Sequence, residues 1–188
     1  MYKRQEEDTS LPEKARKKAG MIRRQSQRMK NLINDLNLAS KLEYNVQPLH
    51  MEKINAVAFL RQIVVDFLNL DLDGKYPIQW EGMDTPSPCV IWGDPALLRR
   101  AISNLIINAQ LHNPKGCAIS AGVSQEDEEG FCRFVISDNG KGVTEEQLNS
   151  IRNKPHYMVC DSNTGEQRHG LGLLIAIKIL HKLSDNKI

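Results

Sequence analysis

An apolar run from Phe134 to Ile136 is followed closely by the sequence Asp138-Asn139-Gly140-Lys141-Gly142. The run predicts a β-strand, and the Asn-Gly pair predicts that the chain turns sharply after it. A carboxylate at the end of a strand can accept a hydrogen bond from an exocyclic amine, and glycines let a base or a phosphate approach the backbone. The segment therefore outlines a nucleotide pocket, although a plain turn after a strand would use the same residues.

The segment that begins at Asp94 predicts an amphipathic helix. Asp94 followed by Pro95 is typical of a helix start, with an acidic N-cap and a proline in the first turn. Apolar residues then recur at intervals of four, three and four and predict a stripe that faces the core: Leu98, Ile102, Leu105 and Ala109.

Two asparagines, Asn104 and Asn108, share a different face of this helix. Asparagine is a modest helix former, so two of them at this spacing need a reason. One reason is solvent exposure or bonding to the backbone. The other is ligation of a hard cation such as Mg2+, because a neutral amide oxygen adds no charge next to phosphates.

A third segment, Gly170-Leu171-Gly172, opens the apolar run Leu173 to Leu180, which predicts a helix. Free N–H groups at a helix start attract anions, so this segment is a second candidate for contact with phosphate. The alternative is a loop-to-helix junction packed closely against a sheet, which would need the same glycines.

In this order and spacing, the three segments resemble the N box and the two glycine boxes of the histidine-kinase ATP-binding domain. Its Bergerat fold is shared with gyrase B, MutL and related ATPases. The resemblance runs from about Met21 to Leu183. It implies a two-layer α/β sandwich preceded by a long dimerisation helix, and a sensor histidine kinase of two-component systems that uses ATP and Mg2+.

The resemblance also implies roles for single residues. Asn108 corresponds to the Mg2+ ligand, with Asn104 beside it, and Asp138 corresponds to the acid that binds the adenine amine. In gyrase-like members the residue four before the metal-binding asparagine is a Glu that activates water. Asn104 at that position is similar to a kinase and unlike a hydrolase.

The glycines correspond to the parts of the family's pocket that lie closest to the nucleotide. Gly140 and Gly142 would flank the adenine and form the hinge of a lid. The segment Gly170-Leu171-Gly172 would lie against the phosphates.

The chain departs from the family pattern at several positions. The kinase N box usually continues with a Lys and a Tyr that approach the phosphates, whereas this chain has Leu111 and His112. His112 is therefore expected to supply only part of that role. The second glycine box opens Arg168-His169-Gly170 and lacks the first usual Gly, and no clear Phe-rich box precedes it.

Ser10-Leu11-Pro12-Glu13 has the form of a capping box and predicts the start of a helix of roughly 30 residues, about 45 Å long. Its apolar stripe alternates at intervals of four and three: Ala15, Ala19, Ile22, Ser26, Met29, Ile33, Leu36 and Ser40, widened by Leu32 and Leu42. Such a helix needs a partner helix or a second chain. It resembles the second dimerisation helix of histidine kinases, which implies a homodimer; a structural linker helix is the alternative.

We accordingly expect residues 10–45 to form the dimerisation helix and residues 46–188 the ATP-binding domain. Within the latter, periodicity predicts a short strand over Leu49–Lys53 and a helix over Val57–Leu70. Two further strands are predicted at 78–81 and 89–92, and a hairpin pairs 117–123 with 131–137. The long polar stretch between Lys141 and His169 is typical of a lid.

Composition agrees with one core and an appendage: the chain has 188 residues, of which 40% are hydrophobic and 26% charged. A net charge of +2 predicts no strong attraction to nucleic acid. The four cysteines lack paired metal spacing, so reduced, mostly buried thiols are expected. No apolar run reaches the roughly 18 residues of a membrane span. The resemblance implies the cytoplasmic portion of a membrane-anchored bacterial sensor, with the anchor expected in parts of the parent protein that are absent here.

The five histidines are His50, His112, His156, His169 and His181. All follow the long helix, whereas the family's phospho-accepting histidine lies before it, so we expect no catalytic acceptor in this chain. The γ-phosphoryl of Mg-ATP would pass to a histidine elsewhere and then to the receiver domain of a response regulator. Two alternatives stay open: a nucleotide-binding regulatory module, anti-sigma-like or a degenerate sensor, and a purely structural interaction domain.

Overall fold

A computed structural model describes residues 12–81, 89–126, 131–146, 149 and 171–185. The helices are α1 (Glu13–Glu43), α2 (Ala56–Leu70), α3 (Pro95–His112) and α4 (Leu171–Asp185). The strands are β1 (Glu52–Asn55), β2 (Ile78–Glu81), β3 (Val90–Gly93), β4 (Ile119–Glu126) and β5 (Phe131–Asp138). The predicted elements are therefore present, with shifts of a few residues at their ends.

The strands form a mixed layer that the helices cover. β1 pairs antiparallel with β3, while β4 pairs with β2 in parallel and with β5 antiparallel. β3 also comes close to β5. Helix α2 contacts β4, and helix α3 contacts β5. Ile119 pairs with Asp138 at the open end of the hairpin, so Asp138 is the last residue of β5 that pairs with β4. The predicted two-layer α/β sandwich is confirmed.

The main core lies between this strand layer and helices α2 and α3. Ile63, Ile106 and Ile119 are at most 1% exposed, and each such side chain contributes about 1.5–3 kcal/mol when it is fully buried. Leu98, Ile102 and Ala109 join the same core as predicted. Leu105 of the predicted stripe does not, because it packs half-buried against a second cluster that includes Ile175 of α4. The stripe of α3 therefore faces the sheet and leaves its other faces for α4 and for the site.

A second core joins the end of α1 to α3 and α4. Ala39 and Leu42 of α1 pack with Leu97, Ala101 and Ile175. Two ion pairs border this contact: Arg100 with Asp35, and Lys178 with Glu43 at 3.6 Å. The end of α1, from Leu38 to Leu42, thus shares one core with α3 and α4.

The middle of α1 has a different environment. Ile22, Met29, Ile33 and Leu36 are 45–63% exposed, although they belong to the predicted apolar stripe. The helix has 31 residues, close to the predicted length. Its N-cap is Pro12, without a side-chain capping bond, so the prediction of a capping box that starts at Ser10 is wrong for this helix; Ser10 itself lies outside the described residues. The need for a partner along this stretch remains a prediction. Among the described residues, no helix is long and apolar enough to cross a membrane.

The first strand begins later than the sequence predicts. β1 spans Glu52–Asn55 and turns Ile54 towards the core, whereas the alternation had placed it over Leu49–Lys53. The backbone N–H of His50 donates to Asp94 Oδ2 over 2.9 Å, so this part of the chain is held by a side chain before ladder pairing with β3 starts. A long-range contact of this kind leaves no local signal.

Two of the four cysteines lie next to each other. Cys89 and Cys132, distant in sequence, have Cα atoms 6.2 Å apart where the start of β3 approaches β5, which is within the range of a disulfide. The expectation of reduced thiols stays a prediction for this pair. Cys117 is free and buried as expected, and Cys160 lies outside the described residues.

Candidate nucleotide-binding site

Asp138 ends β5 with its side chain exposed beside the glycine-containing turn. Its Oδ1 accepts from the backbone N–H of Gly140 at 2.9 Å and from Asn113 Nδ2 at 3.2 Å. Within the described part of the chain, both hydrogen bonds to this carboxylate therefore reach the same oxygen. Oδ2 is left to accept from an exocyclic amine, which is the chemistry that the sequence predicts here.

The turn itself is fixed to the start of β4. Asn139 donates its backbone N–H to the carbonyl of Ala118 over 3.1 Å, and its Oδ1 accepts from the N–H of Ala118 at 2.9 Å. These paired bonds continue the ladder by one residue beyond Asp138. The position of Asp138 relative to the end of the sheet is therefore fixed.

Asn113 is a residue of this site that sequence reasoning missed. It lies directly after α3, where Asn113-Pro114-Lys115-Gly116 predicts only a chain break. Its Nδ2 also donates to the carbonyl of Ala109 over 2.9 Å, and its Oδ1 accepts from the N–H of Lys141 at 3.1 Å. A helix-ending asparagine five residues after Asn108 is the available signal, and it is too common in turns to identify a site by itself.

The two glycines of the turn differ in why glycine is needed. At Gly140 a Cβ would collide with the Asn113 side-chain amide. At Gly142 the space is open, but φ is +67°, a conformation that L residues rarely adopt. The first glycine therefore makes room for a protein side chain, and the second allows the chain to reverse.

The asparagines of α3 occupy different environments. Asn104 is 7% exposed, and its Nδ2 donates to the carbonyl of Gly172 over 3.0 Å. This is the backbone contact that the sequence left open as an alternative. Asn108, one turn later, is half-buried, and His112 is half-buried at the last position of the helix. Their roles towards Mg2+ and phosphate stay predictions.

The second glycine segment meets this face of α3 through α4. Leu171 begins α4, and its side chain is buried in the second core, so a contact with an anion would have to use its backbone N–H. A Cβ on Gly172 would lie 3.7 Å from Asn104, an ordinary contact distance. Gly170, which was also predicted to face phosphate, lies outside the described residues, as does most of the predicted lid.

Cys117 lies in the protein interior close to Asp138. Burial raises the pKa of its thiol, the negative charge of Asp138 raises it further, and a hydrogen bond with Asn113 partly offsets both effects. The thiol also approaches the carbonyl of Ala109 at 3.9 Å. Asp138 thus has a neutral, weakly polar group on its inner side.

The donor set suits a nucleotide with Mg2+. Among the described residues, no cluster of three or more His, Cys, Asp or Glu side chains could hold a metal ion by itself. A half-buried amide such as that of Asn108 is a weak single ligand, and Mg2+ is usually completed by phosphate oxygens and water. The carboxylate of Asp138, the open space at Gly142 and the start of α4 are the further groups that the sequence predicts to contact a nucleotide.

Residues 93–188 match the family described as histidine kinase-, DNA gyrase B- and HSP90-like ATPases. The match includes Asn104, Asn108, Asp138 and both glycine segments. The chain belongs to this family. Its matched part is an ATPase domain of the sensor histidine kinase type, as the similar proteins indicate.

Two curated relatives illustrate the similarity. The sensor histidine kinase YvrG of Bacillus subtilis is 29% identical over 170 residues, which cover 90% of this chain and 28% of YvrG. The phosphate regulon sensor protein PhoR of Haemophilus influenzae is 29% identical over 171 residues, which cover 90% of this chain and 38% of PhoR. The chain thus spans well under half the length of these relatives.

Solved structures share the fold. Full-length ShkA, solved in complex with AMPPNP, superposes with a TM-score of 0.74 and 23% identity over 95% of this chain and 36% of ShkA. The histidine kinase AdeS of Acinetobacter baumannii gives a TM-score of 0.67 and 19% identity over 92% of this chain and 75% of the AdeS chain. The first match includes α1 as well as the ATP-binding domain, because it covers nearly the whole chain.

Proposed function

We propose that this chain binds Mg-ATP and is the catalytic part of a sensor histidine kinase, with Asp138 as the adenine acid. The observation that carries the proposal is the state of the Asp138 carboxylate: Oδ1 is held by two protein donors at 2.9 and 3.2 Å, and Oδ2 has no donor among the described residues, so it can accept from the adenine amine. The family match and the AMPPNP complex of ShkA support it.

The residues would divide the work as follows. Asp138 accepts from the adenine amine, and Gly140 and Gly142 let the base lie close to the backbone. Asn108 contributes an amide oxygen to Mg2+, which neutralises phosphate charge when it is bound. His112 and the backbone of Leu171 and Gly172, at the start of α4, face the phosphates.

Transfer in this proposal goes to a histidine outside the chain. Phosphoryl transfer needs an acceptor nitrogen within about 3–3.5 Å and in line with the γ-phosphorus, so the work of this domain is positioning and charge neutralisation. α1 would place the acceptor by pairing with a second copy of the chain. The receiver domain of a response regulator would then take the phosphoryl group, and any membrane anchor of the sensor would belong to other segments.

A regulatory module that binds nucleotide without transferring phosphate is the second candidate. The observation in its favour is Leu111, which is 54% exposed near the end of α3, where the family usually has a Lys. An exposed Leu adds no charge next to phosphates. Leu111→Lys tests whether this position limits nucleotide affinity, since the added positive charge should strengthen Mg-ATP binding.

The proposal is tested by titrating the full chain with Mg-ATP while following thermal unfolding and binding heat. A ligand that binds only the folded state at a hundredfold excess over Kd stabilises by about 2.7 kcal/mol. Asp138→Asn should lose most of this effect, and Asn108→Ala should lose its dependence on Mg2+. Absence of both the shift and the heat with the unsubstituted chain would contradict the proposal.

A further inference from the structure

Asn113 connects three parts of the site through one side chain. Its Nδ2 donates to Ala109 O in the last turn of α3 at 2.9 Å and to Asp138 Oδ1 at 3.2 Å, and its Oδ1 accepts from Lys141 N at 3.1 Å. Helix end, acid and turn are therefore fixed relative to one another by a single amide.

We propose that Asn113 is a positioning residue for adenine recognition, which sets the orientation of the Asp138 carboxylate and the exit of the chain at Lys141. The inference rests on the proposed function, because it concerns the same pocket. Asn113 touches the acid and the turn, so its effect on a nucleotide would pass through them.

An exposed aspartate has little to fix its carboxylate, because the second side-chain torsion of Asp is broad and roughly two-fold. The Gly140 N–H alone would hold one oxygen by a bond within the same turn. The Asn113 amide adds a second donor from a different element, α3, and so fixes the plane of the carboxylate. Oδ2 then points in one direction before any ligand arrives, which is the condition for selective recognition of an amine.

The orientation of Asn113 is itself determined. Its amide nitrogen faces two acceptors and its amide oxygen faces a backbone donor, so the reversed assignment would leave all three contacts unsatisfied. Its backbone carbonyl accepts from Tyr76 Oη at 3.2 Å and from Gly116 N at 2.9 Å. Gly140 packs against the amide, where any Cβ would collide with it. Few rotations are left to this side chain.

The ligand chemistry follows from this arrangement. A carboxylate oxygen held in one direction favours a purine with a 6-amino group, which donates, over one with a 6-oxo group, which cannot. Without Asn113 the carboxylate could rotate, and ATP would lose affinity while inosine triphosphate, which lacks the amine, would lose little. A general loosening of the pocket would instead weaken both nucleotides equally.

The test compares Kd values of Mg-ATP and Mg-ITP for the full chain by calorimetry. We expect Asn113→Ala to reduce the ATP-over-ITP preference about five- to tenfold, consistent with the loss of one ordinary hydrogen bond. Asn113→Asp keeps the size and the acceptor for Lys141 but replaces the donor beside Asp138, so it should reduce the preference at least as much. In Asp138→Asn protein, adding Asn113→Ala should change little.

Asn55→Ala is the matched control. Asn55 also binds a backbone group through its side chain, accepting from Ala58 N at 3.0 Å, but it caps α2 away from the site. This variant should lower the unfolding temperature and leave the nucleotide preference unchanged. An unchanged ATP-over-ITP preference in both folded Asn113 variants would overturn the inference, even where Asp138→Asn abolishes the preference. Failure of the unsubstituted chain to bind ATP would overturn the proposed function as well.

Discussion

Asn104 and Gly172 join helices α3 and α4 by a hydrogen bond of 3.0 Å from the Asn104 side chain to the Gly172 carbonyl. The bond is buried on the Asn104 side, and it connects the Asn-bearing helix to the second glycine segment. The two predicted phosphate-facing elements are thus coupled through the protein without a nucleotide.

Asn104→Ala should therefore destabilise the protein in the absence of nucleotide. The substitution removes a buried side-chain donor and leaves the Gly172 carbonyl without this partner, which costs about 1–2 kcal/mol. Urea unfolding measures the change. Asn69→Ala, at an exposed position in the last turn of α2, is the control and should change the free energy of unfolding little. Equal stability of the two variants would contradict the role of this bond.

The two glycines Gly142 and Gly172 should respond in opposite ways to alanine. Gly142 has a φ of +67°, so Gly142→Ala should cost about 1–2 kcal/mol although nothing blocks the Cβ. Gly172→Ala should be neutral or slightly stabilising without nucleotide, because the Cβ finds ordinary contact distance and alanine is the better helix former. Thermal unfolding of both variants measures these changes in stability. If Gly172→Ala destabilises the protein, the contact between α3 and α4 is tighter than these distances indicate.

The exposed stripe of α1 should mediate association. Ile33 and Leu36 are 55% and 56% exposed, and burying such side chains against a second chain contributes about 1.5–3 kcal/mol each. Ile33→Glu together with Leu36→Glu should weaken self-association by at least about tenfold. Sedimentation over a range of concentrations measures this, with Asn37→Glu on an exposed polar position as the control. If the unsubstituted chain is a monomer at every concentration, α1 acts as a linker.

Cys117 should make stability depend on pH in the alkaline range. The thiol pKa is raised in the folded protein above its ordinary value of 9.0, so the unfolded chain loses this proton first. Stability from this group is complete below that value and is lost as pH rises towards the folded pKa. The free energy of unfolding should fall more steeply between about pH 8 and 10 in the unsubstituted chain than in Cys117→Ser. Identical slopes would show that the folded and unfolded thiols ionise alike.

Sequence patterns predicted most of the architecture because the core stripes are local. The spacing of Leu98, Ile102 and Ala109 identified the buried face of α3, and the Asp94-Pro95 pair identified its start, where Asp94 Oδ1 does accept from Ala96 N and Leu97 N at 3.0 Å. The same patterns could not show that the other oxygen of Asp94 binds His50. That contact lies just before the start of β1, and it joins residues 44 positions apart, so no local sequence pattern indicates it.

The sequence predicted residues of the candidate site but not the hydrogen bonds that join them. Asp138 and the glycines stand out because, with the Asn-bearing helix, they resemble the boxes of a known family, whereas Asn113 looks like any asparagine after a helix. Its importance depends on α3 ending beside the turn after β5, a long-range relationship. The proximity of Cys89 and Cys132 was missed for the same reason.

The shared packing of Ala39 and Leu42 has a practical consequence for dissecting the protein. A cut at the predicted domain boundary near Asn45 would remove these two side chains and leave Leu97, Ala101 and Ile175 facing water. The shortened protein would then tend to aggregate through this exposed apolar surface, for a reason unrelated to dimerisation. An ATP-binding fragment meant to behave as a monomer should begin before Ala39, within α1, so that the last turns of the helix remain to cover this surface.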